Sequence, residues 1–263
     1  MAITRGLGRL FLDLARRDGW SGSVLQLGRQ TVYLTEREAR GSFGLRARVG
    51  SFIDDQTYFR QLGFSEIVSC DLDRAGGADL ALDLNSPIPD HLRGRYDTVF
   101  DGGTLGCVFD VPQALRGMEQ LLRDGGRAVH TVASNGYVDD IFFTMSPRLL
   151  HDWYSGRGFT VEHFLIIEHS RRWARSRMRA HLYEPGAVDH LTIGGFEQGA
   201  LLSVVVARKP SHVVDAVPYL RPTSRATSKG PLVRRLLPLV RPILPSRVVR
   251  LWPRRMPPSG GRW

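Results

Sequence analysis

The chain has 263 residues, room for one large α/β domain with appendages or two small domains, and its 42% hydrophobic content excludes disorder throughout. The net charge of +10 is confined to the end: residues 211–263 hold 11 basic residues against the single acid Asp215, whereas the first 210 balance at 25 of each. No apolar run approaches the roughly 20 residues of a membrane-spanning helix and no segment reads as a secretory signal, so a cytoplasmic location is expected. Cys70 and Cys107 are too few for a disulfide framework and lack zinc-site spacing, so both are read as reduced thiols.

In chain order, residues 3–17 place apolar side chains at helical spacing, and Gly19 ends that helix. Residues 23–27 (SVLQL) read as a buried strand closing on Gly28. Thr35 with Glu38 three positions on is a capping-box signal, and a further helix is expected over 54–62, ending at Gly63. Strands follow at 65–70, 80–82 and 96–100, each running into acids or glycines: Asp71, Asp83, and Asp101 with Gly102. A helix over 111–122 leads to a strand at 127–132, and Ser146-Pro147 opens a helix to residue 154. Segments 159–167 and 200–208 are β-branched strands, and the Arg-rich stretch 168–199 between them looks like an insertion or lid. This alternation predicts a parallel sheet covered by helices on both faces.

In such sheets ligands sit outside the carboxyl ends of the strands, where strand order reverses. An acid after the second strand can accept hydrogen bonds from ribose hydroxyls, and Asp71 holds that place. It lies roughly 40 residues after Gly28, not the roughly 20 of a dinucleotide fingerprint, and G-x-G-x-x-G is absent, which argues against a nicotinamide cofactor.

The ordered segments VLQLG, SCDLD, ALDLN, YDTVFDGGTL and LLRDGGRAVHTV resemble the motif series of class I S-adenosylmethionine-dependent methyltransferases. The resemblance implies a Rossmann-like, doubly wound α/β fold: a mostly parallel seven-stranded sheet with an antiparallel closing strand, built from residues 1–210. It implies S-adenosyl-L-methionine as cofactor, with Gly28 beneath the methionine part, Asp71 on the ribose, Asp83 and Leu84 flanking the adenine, and Asp101 with Gly102 lining the methionine side.

The departures matter as much. The first loop reads Gly28-Arg29-Gln30 with one glycine, so Arg29 and Gln30 either obstruct the site or, for Arg29, pair with the cofactor carboxylate. Gly106 and Cys107 stand where many relatives carry an acid and a histidine. His130 is the remaining candidate base, with a core histidine as the alternative. Asp139-Asp140 has no partner ligands at metal-site spacing, so no metal is expected. The expected activity is methyl transfer to a small-molecule or glycan acceptor; the alternative is a catalytically inactive scaffold of the same fold.

Residues 211–263 form a separate Pro/Arg-rich tail, where recurrent prolines limit helices to short pieces. Leu232, Leu236, Leu239 and Ile243 fall at helical spacing beside arginines, a pattern suited to an anionic membrane surface or to packing on protein. Nucleic acid is the least favoured partner, because after Tyr219 only Trp252 and Trp263 could stack on bases.

Overall fold

The computed structural model describes residues 2–44, 50–169, 178–188, 191, 195–196 and 199–219. The arginines 171, 172, 175 and 177 of the expected lid, and the tail from residue 220 onward, lie outside the described residues.

Helix α1 (Arg5–Asp18) starts where the Thr4 hydroxyl accepts from the Leu7 N–H, and it stops at Gly19, whose φ of 62° is left-handed. Its Leu7, Leu10, Phe11 and Leu14 form one buried stripe. Because Thr4 is the cap, Ile3 does not open the helix. It lies instead in a short strand β1 (Ala2–Ile3), which pairs in parallel with β3 (Thr31–Val32) just beyond β2 (Gly22–Leu27).

The capping box is present in both directions around α2 (Glu36–Ala39), a single turn. Asp54 caps α3 (Asp55–Gln61), accepting from the Thr57 N–H at 2.7 Å. The chain then runs through β4 (Phe64–Asp71), β5 (Leu80–Ala81), β6 (Tyr96–Asp101), α4 (Val111–Leu121), β7 (Leu122–Asn135), α5 (Pro147–Gly156), β8 (Thr160–His169), β9 (Arg179–Leu182) and β10 (Ala200–Arg208).

The main sheet has the order β5-β4-β2-β6-β7-β10-β8-β9. Pairs on the β5-to-β7 side are parallel, and β10 inserts antiparallel between β7 and β8. The mostly parallel α/β fold with an antiparallel closing strand is therefore observed. One strand is added: part of the stretch read as an insertion or lid is β9, which pairs antiparallel with β8 at the sheet edge. Four residues reading Arg-Ala-His-Leu carry too little alternation to announce a strand.

Helices cover both faces. One core joins Leu25, Val99, Met118 and Leu121 with Trp153 and Tyr154; the other joins Phe11, Phe59, Phe100 and Val204. Phe100 of β6 meets Phe11 of α1 and Phe59 of α3 edge-on, with ring centroids 5.2 and 5.1 Å apart. Such pairs contribute about 0.5–1.5 kcal/mol each beyond the area they bury.

β10 ends with Arg208 opposite Arg127 and Thr160, at the amino ends of β7 and β8. Lys209 Nζ donates to the carbonyls of Glu119 and Leu122, and buried Arg157 ties Glu119 to Asp215 and the Ala216 carbonyl. The root of the tail is thus fastened at the end of the sheet opposite the strand carboxyl ends.

Candidate functional site

Strand order reverses between β2 and β6: the chain leaves β2 for β4 and β5 on one side, then returns to lay β6 and β7 on the other. The crevice outside the carboxyl ends of β2 and β6 is therefore the place the topology offers a ligand.

Gly28 closes β2 with a φ of 72°, a value side chains rarely adopt, and donates to the Cys70 carbonyl at 2.7 Å. A side chain there would also press on Thr104 Oγ1, which donates to the Leu27 carbonyl at 2.6 Å. Gln30, only 6% exposed, folds back so that Nε2 donates to the carbonyls of Gly28 (2.8 Å) and Leu27 (3.3 Å). Its carboxamide lies flat against Gly102, where any Cβ would fall 2.0 Å from Gln30 Oε1. Gln30 therefore occupies the space above Gly102.

Two polar atoms in this crevice have no hydrogen-bond partner, Gln30 Oε1 and Thr131 Oγ1. Ala2 and Ile3 of β1, with Phe100, close it from the α1 side. Both oxygens are buried, and the gap they face is too small to admit a water molecule while Gln30 lies against Gly102.

Arg29 turns outward, and its guanidinium binds both carboxylate oxygens of buried Asp55, at 2.7 and 3.2 Å. The hydrogen bond to Asp55, then its charge, raises the Arg29 pKa. Arg29 lines an open cleft of about 390 Å³ together with Thr31, Phe52 and Asp54. Asp55 engages its Nε and Nη2.

Asp71, at the end of β4, is exposed; Oδ1 accepts from the Leu72 N–H, and Oδ2 has no partner among the described residues. Asp83 closes its own turn, accepting from Asn85 N, Asn85 Nδ2 and Ser86 Oγ. The backbone bond from Asn85, joined by its side chain, lowers the Asp83 pKa. Leu84 is 5% exposed and packs into the core.

The expectation for Asp101 needs correction. Its carboxylate is fully buried and turned inward, accepting from the N–H groups of Gly103 (2.9 Å) and Leu105 (3.2 Å), with Oδ2 2.9 Å from His130 Nδ1. Only Gly102 of that pair faces the crevice. His130 takes the core alternative: the ring has no exposed surface, and Nε2 lies 2.6 Å from the Tyr154 hydroxyl. Burial holds the Tyr154 phenol far above its ordinary pKa, so it stays protonated and donates to Nε2 while Nδ1–H donates to Asp101. All three groups are satisfied, and the chain braces the 103–105 turn from below.

Among the described residues no cluster of three or more His, Cys, Asp or Glu side chains could hold a metal. No helix among them is long and apolar enough to cross a membrane.

No family model matches the chain, and no curated protein matches it. Among solved structures it is similar to the N-methyltransferase NodS from Bradyrhizobium japonicum WM9, at 13% identity over 78% of this chain and 96% of that one, with a TM-score of 0.46. It is also similar to the MccD protein, at 12% identity over 76% and 96% of the two chains and a TM-score of 0.43. A third is a Burkholderia thailandensis 1,6-didemethyltoxoflavin-N1-methyltransferase, solved with its substrate and S-adenosylhomocysteine, at 16% identity over 77% and 78% and a TM-score of 0.36. At such identities and scores these likenesses carry no weight for activity, and the functional reading rests on the site.

Proposed function

We propose that the protein is an S-adenosylmethionine-dependent methyltransferase acting on a small-molecule or glycan acceptor. The observation that supports this reading is the placement of Gly28, with its left-handed φ, and of exposed Asp71, with one carboxylate oxygen unpartnered among the described residues, at the carboxyl ends of the neighbouring strands β2 and β4 at the switch point.

The cofactor would be held in two parts. Asp71 would accept from the ribose hydroxyls, and Asp83 and Leu84 would border the base. Gly28, Gly102 and the unpartnered Thr131 Oγ1 would receive the amino-acid end, whose ammonium would donate to that oxygen. Gln30 has to turn aside for this, giving up two hydrogen bonds. When bound, the cofactor supplies a methyl activated by its sulfonium. The chain aligns the acceptor against it and excludes water. His130 and Asp101 would act as positioning residues, holding the 103–105 turn that follows Gly102.

A second reading is favoured by the same loop: with Gln30 folded in and Arg29 tied to Asp55, the domain would be a scaffold that keeps the fold without the cofactor. Calorimetric titration with S-adenosylmethionine and S-adenosylhomocysteine, with NAD as control, separates the two. Micromolar binding, near about −8 kcal/mol, with none for NAD supports the enzyme. Affinity that appears only after Gln30→Gly supports the scaffold.

The proposal extends to the tail, whose arginines and leucines suit peripheral contact with an anionic membrane from the cytoplasmic side. Co-sedimentation with phosphatidylglycerol vesicles should be lost on deleting residues 220–263; retention would reject this part.

A further inference from the structure

Two loops leave the carboxyl ends of β6 and β7 next to the switch point, and between them they expose three phenylalanines. Phe109 is 74% exposed, Phe142 69% and Phe143 37%, yet the rings touch one another: centroids lie 6.2 Å apart for Phe109–Phe142, 5.9 Å for Phe109–Phe143 and 6.4 Å for Phe142–Phe143. A contiguous exposed aromatic surface is uncommon on a folded domain and marks a binding site more often than a packing accident.

The platform is held in place. The Gly106 carbonyl accepts from both Phe142 N–H (2.9 Å) and Phe143 N–H (3.1 Å), so the two loops are bonded to each other. Gly106 also allows their close approach, since a Cβ there would fall 3.2 Å from Ile141 Cδ1 and from the Phe143 carbonyl oxygen. Rings presented by bonded loops lose little freedom on binding, which favours recognition of a small flat ligand.

The charge around the rings narrows the ligand. Residues 102–110 and 136–146 contain no lysine or arginine, in a chain that has 36, and they carry Asp110, Asp139 and Asp140. An anionic membrane would need basic residues here, and a carboxylate- or phosphate-bearing acceptor would meet like charge. Loops that carry carboxylates and no basic side chain suit a ring with hydroxyl donors.

We infer that the Phe109–Phe142–Phe143 platform is the acceptor subsite and that it takes an uncharged ring compound, aryl or pyranosyl, presenting a hydroxyl group. The inference rests on the methyltransferase reading for the word acceptor, and on the platform alone for the binding.

The test is saturation-transfer NMR on the full chain with phenyl β-D-glucopyranoside and, as its anionic counterpart, phenyl phosphate. The wild type is compared with Phe109→Ser/Phe142→Ser, whose exposed positions leave the thermal midpoint unchanged. The double substitution should weaken glucoside binding about tenfold, and phenyl phosphate should bind the wild type at least about tenfold more weakly than the glucoside. Equal affinity of the two probes, glucoside binding untouched by the double substitution, or Phe-dependent pelleting with phosphatidylglycerol vesicles would overturn the inference. Absence of S-adenosylhomocysteine binding to the wild type, with Phe-dependent glucoside binding intact, would reject methyl transfer and leave the platform standing as a ring-binding site.

Discussion

Gly102→Ala isolates the contact on which the crevice depends. Gly102 has no left-handed φ, so alanine there changes space and nothing else in the backbone. The new Cβ would lie 2.0 Å from Gln30 Oε1, 2.5 Å from Cδ and 2.7 Å from Nε2, which the carboxamide cannot tolerate. It must swing out and surrender its bonds to the Leu27 and Gly28 carbonyls. Overpacking of this kind costs about 1–3 kcal/mol. Taking about 2 kcal/mol, and about 2–4 °C per kcal/mol for a domain of this size, the midpoint of thermal unfolding falls by about 4–8 °C. Gln30→Ala alone loses two ordinary hydrogen bonds but removes an unsatisfied oxygen, so it costs about 1 kcal/mol or less. In the double variant the clash no longer exists, and the loss should match that of Gln30→Ala, giving a coupling of about 2 kcal/mol in a cycle measured by urea unfolding. Additive losses, or a Gly102→Ala protein as stable as wild type, would refute the placement of Gln30 in the crevice.

Other consequences can be checked on the same protein. Arg157→Ala should cost about 3–5 kcal/mol in urea unfolding, because it leaves buried Glu119 without its partner. Asp215→Ala, on the exposed arm of the same network, should cost less than about 1 kcal/mol. Removing the cap with Asp54→Ala should destabilise by about 1 kcal/mol at neutral pH. The bond from Thr57 N–H lowers the Asp54 pKa below its ordinary 3.8, so the folded state binds that proton less tightly than the unfolded chain. The cap's contribution is therefore complete above 3.8 and fades as pH falls through the folded value, and the variant should converge on wild type in acid. Asp71→Ala should leave thermal stability unchanged and weaken S-adenosylhomocysteine by about 10- to 100-fold, the worth of a charge-assisted hydrogen bond of about 1.5–3 kcal/mol.

Much of the fold was legible because its signals are local. Gly19 and Thr35–Glu38 mark helix ends through their own backbone chemistry, and residues 200–208 form β10 with the bounds their β-branched run suggests. The strands that escaped notice, β1, β3 and β9, span two to four residues, too few to show a period. At the site, the positions of Gly28 and Asp71 follow from counting strands, but the direction of a strand-end acid does not. Asp101 and Asp71 look alike in the sequence; what turns Asp101 inward is His130 and Tyr154, 29 and 53 residues further on. Gln30 was recognisable as bulk beside the single glycine, but its fold-back onto Gly102 depends on β2 and β6 being neighbours.

The most direct test of the account is a crystal structure with S-adenosylhomocysteine. The account predicts the ribose on Asp71, the amino-acid end against Gly28, Gly102 and Thr131, and the Gln30 carboxamide rotated off Gly102. An empty crevice at saturating ligand, or ligand bound elsewhere with Gln30 still folded onto Gly102, would contradict it.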